Sequence, residues 1–212
     1  MSATRLRDLG IATGRLPPGP GNAITDVAIG YATIIRDDPA VIRTGVTAIW
    51  PRRGAIWTDP VFGGYFSFNG NGEMTGLPWL AEQGLIGAPI AITNTFSVGI
   101  VRDAICALAV RARAPAMFHL PIVAGTYDGW LSASETFPIT TEHAFQALET
   151  AAADCPAEGN IGGGTGMICH EFKGGTGTAS RDVVIAEKSF IVGALVHDEL
   201  QRVMRRYRPG AR

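Results

Sequence analysis

The stretch GNIGGGTGMICHEFKGGTGTASR, residues 159–181, decides how this chain must pack. Eight of its 23 residues are glycine, in two clusters joined by a short apolar and polar bridge. Glycine is this frequent where the backbone passes close to another segment, or where φ must be positive. The pattern therefore favours one of two roles. It either packs backbone between layers of the fold, or forms a catalytic wall whose bare N–H groups face a developing oxyanion.

The same stretch lacks the spacing of nucleotide and metal sites. Neither GxxxxGK(S/T) nor GxGxxG occurs, and Lys173 precedes its glycine pair instead of following a loop glycine. The pair His170-Glu171 begins like HExxH, but position 174 is glycine, so the second ligand is missing. The other three histidines show no ligand spacing. We expect no cofactor and no metal, with His170 as a core or loop histidine.

Bulk composition predicts a single domain with a substantial core. The chain has 212 residues, 46% hydrophobic and 17% charged, and a net charge of −1. That charge gives no electrostatic case for nucleic acid or a membrane surface as partner. The N-terminus has no apolar signal region, the apolar runs are too short to span a bilayer, and the three cysteines fit no zinc pattern. We expect a cytoplasmic protein with unpaired thiols.

Apolar patterning predicts a layered α/β or α+β fold, in which strands dominate and two or three helices lie between them. Residues 1–25 are expected to form an irregular arm, because three prolines interrupt it. Residues 62–73 predict extended aromatic chain ending in Asn-Gly turns with positive φ. Strands are predicted over 28–35, 44–50, 89–94, 121–124 and within 183–196. Helices are predicted over 76–84, 97–113 and 141–154, the last capped by Thr140 or Thr141.

The loop GTYDGW, residues 125–130, places a phenol, a carboxylate and an indole within four residues, beside two glycines. Aromatic side chains with polar tips on a short loop are one common way to line a substrate pocket. The alternative is a turn with Asp128-Gly129 at its tip and both aromatic side chains folded into the core. Composition by itself leaves both open.

Five strings, taken in chain order, resemble the DmpA-like L-aminopeptidase/D-esterases, a family that includes the β-aminopeptidases. They are FNGNGEMTG, PIAITNTFSVGIVRDA, TYDGWL, EGNIGGGTGMICHEFKGGTGTASR and FIVGALV. The resemblance runs from about Leu6 to Val196. It implies a four-layer αββα sandwich, similar to N-terminal nucleophile hydrolases but differently connected.

The resemblance also implies a chemistry. A precursor cuts itself in two, and the serine at the new N-terminus forms an acyl-enzyme, with its own α-amine as the base. The implied activity releases N-terminal amino acids from short peptides, amides or esters, without metal, in a homo-oligomer. An alternative is a non-catalytic scaffold that binds small molecules or peptides on the same sandwich. A third possibility is an acyltransferase on a related self-cleaving fold.

Part of the implied site can be placed on this chain. Tyr127 matches the family tyrosine that lies beside the nucleophile and helps bind substrate or the oxyanion. Asp128 and Trp130 share its loop and are further candidates for the pocket. The remaining matches form the glycine-rich wall, whose implied role is mainly close backbone packing near the site: Asn160, Gly162, Gly163 and Gly164.

Three departures from the family pattern stand out. Gly125 occupies the place of a glutamate that holds the substrate ammonium. The missing charge-assisted hydrogen bond is worth about 1.5–3 kcal/mol, which puts the preference for a free N-terminus in question. The segment between Asp26 and Gly30 is shortened. After Val196 the family continues with a QAN-type string, whereas this chain continues HDELQRVMRRYRPGAR.

The third departure sets the expected extent of the site. Neither the oxyanion asparagine nor the nucleophilic serine can be assigned, so we expect the 212-residue chain to be inactive alone. We interpret 1–212 as a single domain segment, most of the α part of a self-processing peptidase. Residues 197–212 form a divergent basic tail, either from a frameshifted or truncated frame or as a natural solvated helix.

Overall fold

The computed structural model describes residues 4–11, 13–24, 28–52, 56–68, 70–115 and 117–197, so the predicted basic tail lies outside it except for His197. The helices are Leu77–Gln83 (α1), Val98–Arg111 (α2) and Thr141–Glu149 (α3). The strands are Ala28–Arg36 (β1), Ile42–Trp50 (β2), Val61–Phe62 (β3), Leu85–Ile86 (β4), Ile90–Asn94 (β5), Ile122–Thr126 (β6), Ile168–Cys169 (β7), Phe172–Lys173 (β8), Thr176–Ile185 (β9) and Lys188–His197 (β10).

The central sheet has the strand order β1-β2-β5-β6. Its first three strands pair antiparallel, whereas β5 and β6 are parallel and pair Ile90 with Ile122 through to Asn94 with Thr126. Two parallel neighbours need a long crossover, and helix α2 supplies it. The carboxyl ends of β5 and β6 therefore open at the same edge of the sheet.

One face of this sheet is covered by helices. Successive strand residues point to opposite faces, so Ala32, Val46 and Ala48 all face α2 and α3. Helix α3 begins at the predicted Thr140 cap, where the backbone N–H of Thr140 donates to His143 Nδ1 at 3.0 Å. It ends at Glu149, five residues before the predicted end, because Thr150 leaves helical geometry and Ala152 then pairs with Ile29 of β1.

The opposite face carries the glycine-rich stretch and a long hairpin. Residues Gly162–Gly164 form a short 3₁₀ turn against β1 and β2, which we call the glycine turn. Beyond it, β9 and β10 pair antiparallel and form the second sheet. The described residues therefore build a helical layer, a sheet, the glycine turn and a second sheet. This order fits the predicted α+β sandwich.

The N-terminal arm is irregular, as predicted, but it is tied to the second sheet. Pro18 forms a bridge with Arg181, and the N–H of Asp182 donates to the carbonyl of Pro17 at 2.9 Å. The Arg181 guanidinium donates to Asn22 Oδ1 and to the Thr13 carbonyl, both at 3.0 Å. The N-terminal arm is therefore hydrogen-bonded along β9.

One local prediction is wrong at the second Asn-Gly pair, because neither Asn71 nor Gly72 has positive φ. Within 62–73, only Phe62 belongs to a strand, at the end of β3. The left-handed conformations instead occur at His170-Glu171 and Ala186-Glu187, which turn the β7–β8 and β9–β10 hairpins. Asn69 lies outside the described residues. A hairpin with two positive-φ residues matches the strand twist, and the strand pairing holds even these side-chain-bearing residues there.

Candidate functional site

The candidate site lies where β5 and β6 end. The Thr126 hydroxyl donates to the Thr93 carbonyl at 3.1 Å, and the Thr95 hydroxyl donates to the Thr126 carbonyl at 3.0 Å. These bonds hold the two strand ends together immediately before Tyr127. In open α/β sheets the carboxyl ends of parallel strands are the usual place for a ligand crevice.

Tyr127 is half-buried, and its ring lies over Gly129. A Cβ on Gly129 would lie 2.7 Å from both Cζ and the hydroxyl oxygen of Tyr127, so only glycine leaves space for the phenol in this position. Trp130 is exposed. The interpretation with both aromatic side chains in the core is therefore wrong for Trp130.

Asp128 is buried and lies at the centre of a polar cluster. The hydroxyls of Ser134 and Thr44 both donate to its carboxylate. Asn94 extends the cluster, because its Nδ2 donates to Thr44 Oγ1 at 2.9 Å. Burial raises the pKa of the Asp128 carboxyl, and the hydrogen bonds from Ser134 and Thr44 oppose that rise.

Two buried polar atoms at the same edge have no hydrogen-bond partner among the described residues. Within the described residues, Asn94 Oδ1 and Ser97 Oγ make no hydrogen bond, although both side chains are about 1% exposed. Buried polar atoms are nearly always paired, in part by ordered water. This edge of the sheet therefore has hydrogen-bonding capacity that these protein groups do not fill.

Asp128 also joins the loop that contains Tyr127 to the glycine-rich stretch. A Cβ on Gly166 would lie 2.5 Å from the Asp128 Cβ and 2.2 Å from the Arg43 carbonyl oxygen. The two segments can approach this closely only because residue 166 has no side chain. The structure thus brings the loop containing Tyr127 against the end of the glycine turn.

The glycine turn is held by threonines of the central sheet. The N–H groups of Gly162 and Gly163 donate to the hydroxyls of Thr33 and Thr47, at 2.8 and 3.1 Å. The Gly164 N–H donates to the Ile161 carbonyl at 3.0 Å. Because all three N–H groups already have protein acceptors, the geometry favours backbone packing over an oxyanion wall at these positions. The Asn160 side chain is exposed.

His197, the last residue of β10 in the second sheet, packs against the glycine turn. The His197 ring lies against Gly163, with Nε2 3.3 Å from Thr47 Oγ1. Its Nδ1 is buried and has no hydrogen-bond partner within the described part of the chain. Burial lowers the pKa of His197 to about 4, so the imidazole is neutral at pH 7.

The sequence interpretation missed the hydroxyl groups that organise this region. Thr33, Thr44 and Thr47 occur in mostly apolar strands, and Ser134 follows the loop that contains the tyrosine. A threonine inside a buried strand is a signal for a hydrogen-bond partner, since a buried hydroxyl is costly when left unpaired. Its partner could not be identified from the strand itself.

Other site types find no support in the described ranges. Among those residues, no group of three or more His, Cys, Asp or Glu side chains could hold a metal ion. His170 lies in the exposed turn between β7 and β8, which matches the expectation of a loop histidine. Within the same ranges no helix has both the length and the apolar character needed to cross a bilayer.

The model of peptidase family S58 matches residues 22–205. Two curated relatives are beta-peptidyl aminopeptidases BapA. The protein from Sphingosinicella microcystinivorans is 48% identical over 202 residues, which are 91% of this chain and 50% of the relative. The protein from Sphingosinicella xenopeptidilytica is 41% identical over 208 residues, 92% of this chain and 51% of the relative. The chain thus spans about half the length of these relatives.

Solved structures share the fold. A Burkholderia sp. beta-aminopeptidase has 48% identity and a TM-score of 0.89, covering 93% of this chain and 57% of its own. The l-aminopeptidase d-ala-esterase/amidase from Ochrobactrum anthropi has 40% identity and a TM-score of 0.84, covering 92% and 58%. The PH0078 protein from Pyrococcus horikoshii OT3 has 35% identity and a TM-score of 0.89, covering 94% and 60%. The Ochrobactrum anthropi enzyme is described as a prototype for the serine aminopeptidases and a new variant among the ntn hydrolase fold. The predicted fold class is confirmed.

Proposed function

This chain belongs to peptidase family S58, and from that premise we propose that it forms the N-terminal part of a serine-type aminopeptidase that also acts on amides and esters. The relatives named beta-peptidyl aminopeptidase and l-aminopeptidase d-ala-esterase/amidase support this reaction class. The proposed substrates are short peptides, amino-acid amides and amino-acid esters. The proposed active form is a self-processed homo-oligomer.

The observation that supports the site is the contact between Asp128 and Gly166. It holds the loop containing Tyr127 against the glycine-rich stretch, at the open edge of β5 and β6. We assign Tyr127 to substrate or oxyanion binding, because its phenol is the half-buried donor on this loop. Asp128 is assigned to holding the loop, since its carboxylate is already engaged by Thr44 and Ser134.

Gly125 shapes the proposed specificity. A Cβ at this position would lie 3.1 Å from Val98 Cγ2 and 3.3 Å from the Thr95 hydroxyl oxygen, so the residue lies in the same strand-end crevice. Residue 125 offers no carboxylate to hold a substrate ammonium. We therefore propose that this enzyme discriminates less strongly against N-acylated substrates than a family member with glutamate at this place. The comparison is between kcat/KM for a free and an N-acetylated amide of the same amino acid.

The reaction is tested by fusing residues 1–196 to the C-terminal part of the 48% identical Sphingosinicella microcystinivorans relative. We expect this protein to hydrolyse the p-nitroanilides of β-alanine and L-alanine. Tyr127→Phe is expected to lower kcat roughly 10²-fold, as loss of one oxyanion donor does in other acyl-transfer enzymes. The 212-residue chain alone is expected to show no turnover.

A matched control is Tyr65→Phe, which also removes one phenolic hydroxyl but from a partly exposed tyrosine on another segment. An inactive but folded fusion would contradict the proposed reaction. Turnover by residues 1–212 without the fused part would contradict the proposal that the nucleophile lies outside these residues. Equal losses in Tyr127→Phe and Tyr65→Phe would contradict the role of Tyr127.

A further inference from the structure

The proposed reaction requires a place for the free amino group of the substrate, which is a cationic ammonium below about pH 8. In the strand-end crevice this group meets the start of α2, since a Cβ on Gly125 would lie 3.1 Å from Cγ2 of Val98, the first residue of that helix. A helix N-terminus carries a partial positive charge, and the first turn of α2 has no acidic residue. A substrate ammonium therefore needs a carboxylate from another segment.

Two carboxylates lie close to this crevice in the fold, and they differ in availability. Asp128 is buried, and its carboxylate already accepts hydrogen bonds from Thr44 and Ser134. Glu73 is exposed, and none of the ion pairs among the described residues involves it. The Glu73 carboxylate is therefore the one that can pair with an incoming cation.

The backbone places Glu73 directly opposite Gly125. A short segment before α1 extends the central sheet beyond β6, where Met74 forms an antiparallel bridge with Ala124. The Gly125 N–H donates to the Glu73 carbonyl at 2.8 Å, and the N–H of Thr75 donates to β6 at 3.0 Å. Residues opposite each other in an antiparallel pair project from the same face, with Cβ positions about 4.5–5.5 Å apart. The side chain of Glu73 therefore projects on the face to which a side chain at 125 would point.

We propose that Glu73 binds the substrate ammonium, from the strand position opposite Gly125. The inference rests on the proposed aminopeptidase function and names a specificity-determining residue for it. The Glu73 carboxylate reaches the crevice from a position displaced by about 5 Å, and an exposed carboxylate pairs more weakly than a buried one. The preference for a free amine is thus retained, but it is weaker than a glutamate at 125 would give. This agrees with the reduced discrimination against N-acylated substrates proposed above.

The test uses the fusion protein described above, with β-alanine p-nitroanilide and its N-acetyl derivative as paired substrates. Glu73→Gln keeps the size of the side chain and removes its charge. It is expected to lower kcat/KM for the free amine roughly 10- to 100-fold, which is what a hydrogen bond to a charged group is worth. The value for the N-acetyl substrate is expected to stay unchanged. Glu73→Asp keeps the charge on a shorter side chain and is expected to lose less than Glu73→Gln.

A matched control separates this contact from the general field of the protein. Glu135→Gln makes the same change at another exposed glutamate, which follows Ser134 after the loop that contains Tyr127. It is expected to leave kcat/KM unchanged for both substrates. A cooperative thermal transition in each variant confirms that it folds.

Charge reversal gives the sharpest outcome, because a gain of activity cannot come from misfolding. Glu73→Lys is expected to hydrolyse N-succinyl-β-alanine p-nitroanilide faster than the wild type, since a lysine attracts the carboxylate that Glu73 repels.

The outcomes separate this inference from the proposed function. An active fusion in which Glu73→Gln lowers kcat/KM equally for both substrates, or for neither, would overturn the role of Glu73. So would an equal loss in Glu135→Gln, or a Glu73→Lys variant without the expected gain. A folded fusion with no turnover would instead contradict the proposed reaction, and the inference that rests on it would fall as well.

Discussion

At the scale of single residues, Asp128 connects the parts of the candidate site. Its carboxylate accepts hydrogen bonds from Thr44 on β2 and from Ser134, while its Cβ contacts Gly166. One side chain therefore joins the central sheet, the loop of Tyr127 and the glycine-rich stretch. A buried carboxylate that is already doubly engaged serves better as an anchor than as a proton carrier.

This role predicts different outcomes for two substitutions. Asp128→Ala leaves two buried hydroxyls without an acceptor and is expected to lower the free energy of unfolding by about 2–4 kcal/mol. Asp128→Asn keeps the shape and one acceptor, and removes a charge that burial disfavours, so its cost is expected to stay below about 1 kcal/mol. Urea unfolding at pH 7 measures both. Equal costs would show that the hydrogen bonds do not stabilise the fold.

Gly162 of the glycine turn combines a left-handed φ with no space for a side chain. Its φ is 54°, and a Cβ would lie 2.4 Å from Thr47 Oγ1 and 2.7 Å from the Tyr31 ring. Gly162→Ala is expected to cost about 2–4 kcal/mol, from left-handed strain and overpacking together. Gly99→Ala, in open space on α2, is expected to be neutral or stabilising by up to about 1 kcal/mol. Thermal and urea unfolding compare them, and a harmless Gly162→Ala would refute the close packing.

His197 makes stability depend on pH. Its pKa of about 4 in the folded state lies below the ordinary 6.5, so the folded state binds the proton less readily than the unfolded state. The stabilisation is fully present above pH 6.5 and is lost as the pH falls through about 4. The loss is expected to reach about 3 kcal/mol.

The measurement is the free energy of unfolding between pH 8 and pH 4, in the wild type and in His197→Gln. Glutamine can still hydrogen-bond to Thr47 but does not titrate, so the variant is expected to lose less stability over this range. Parallel curves for the two proteins would place the acid sensitivity in other groups.

At the scale of elements, the β9–β10 hairpin has a turn that its residues do not favour. Ala186 and Glu187 have φ of 48° and 64°. Asn-Gly suits both positions, so changing Ala186-Glu187 to Asn-Gly is expected to raise the free energy of unfolding by about 1 kcal/mol. The check is urea unfolding. The control is Glu82→Gly in α1, which is expected to destabilise. A destabilised hairpin variant would mean that the turn is held by contacts of the Ala186 or Glu187 side chains.

At the scale of the whole molecule, the second sheet has an apolar face that the described residues leave uncovered. Phe190, Val192 and Val196 alternate along β10, so they point to one face, and all three are exposed. Within the described ranges, β10 pairs only with β9. An exposed apolar strand with an unpaired edge is a site for aggregation.

This face predicts poor solubility of the isolated chain. Val192→Lys places a charge in the middle of the apolar row and is expected to raise the soluble yield and suppress light scattering on concentration. Val110→Lys, an equally drastic change at an exposed residue of α2, is the control and is expected to have little effect. A wild-type chain that stays monodisperse at high concentration would contradict this expectation.

Local pattern was enough to predict the type and order of the main elements. Strands β1, β2, β5 and β6 and helices α1 and α2 lie within a few residues of their predicted bounds, because alternation and helical periodicity reflect which side of each element is buried. The glycine density at 159–181 correctly indicated close backbone contact. The end of α3 was missed, since the pairing of Ala152 with Ile29 overrides a helical sequence there.

Only the tertiary structure decided which groups meet. Gly162 and Gly163 receive their acceptors from Thr33 and Thr47, more than a hundred residues earlier, and Asp128 meets Gly166 across a separate loop. Such partners depend on strand order and register, which no single segment specifies. The same holds for the neutral state of His197, because the burial that lowers its pKa comes from elements far away in the chain. Sequence determined which segments could approach closely, and the packed layers determined what each of them touches.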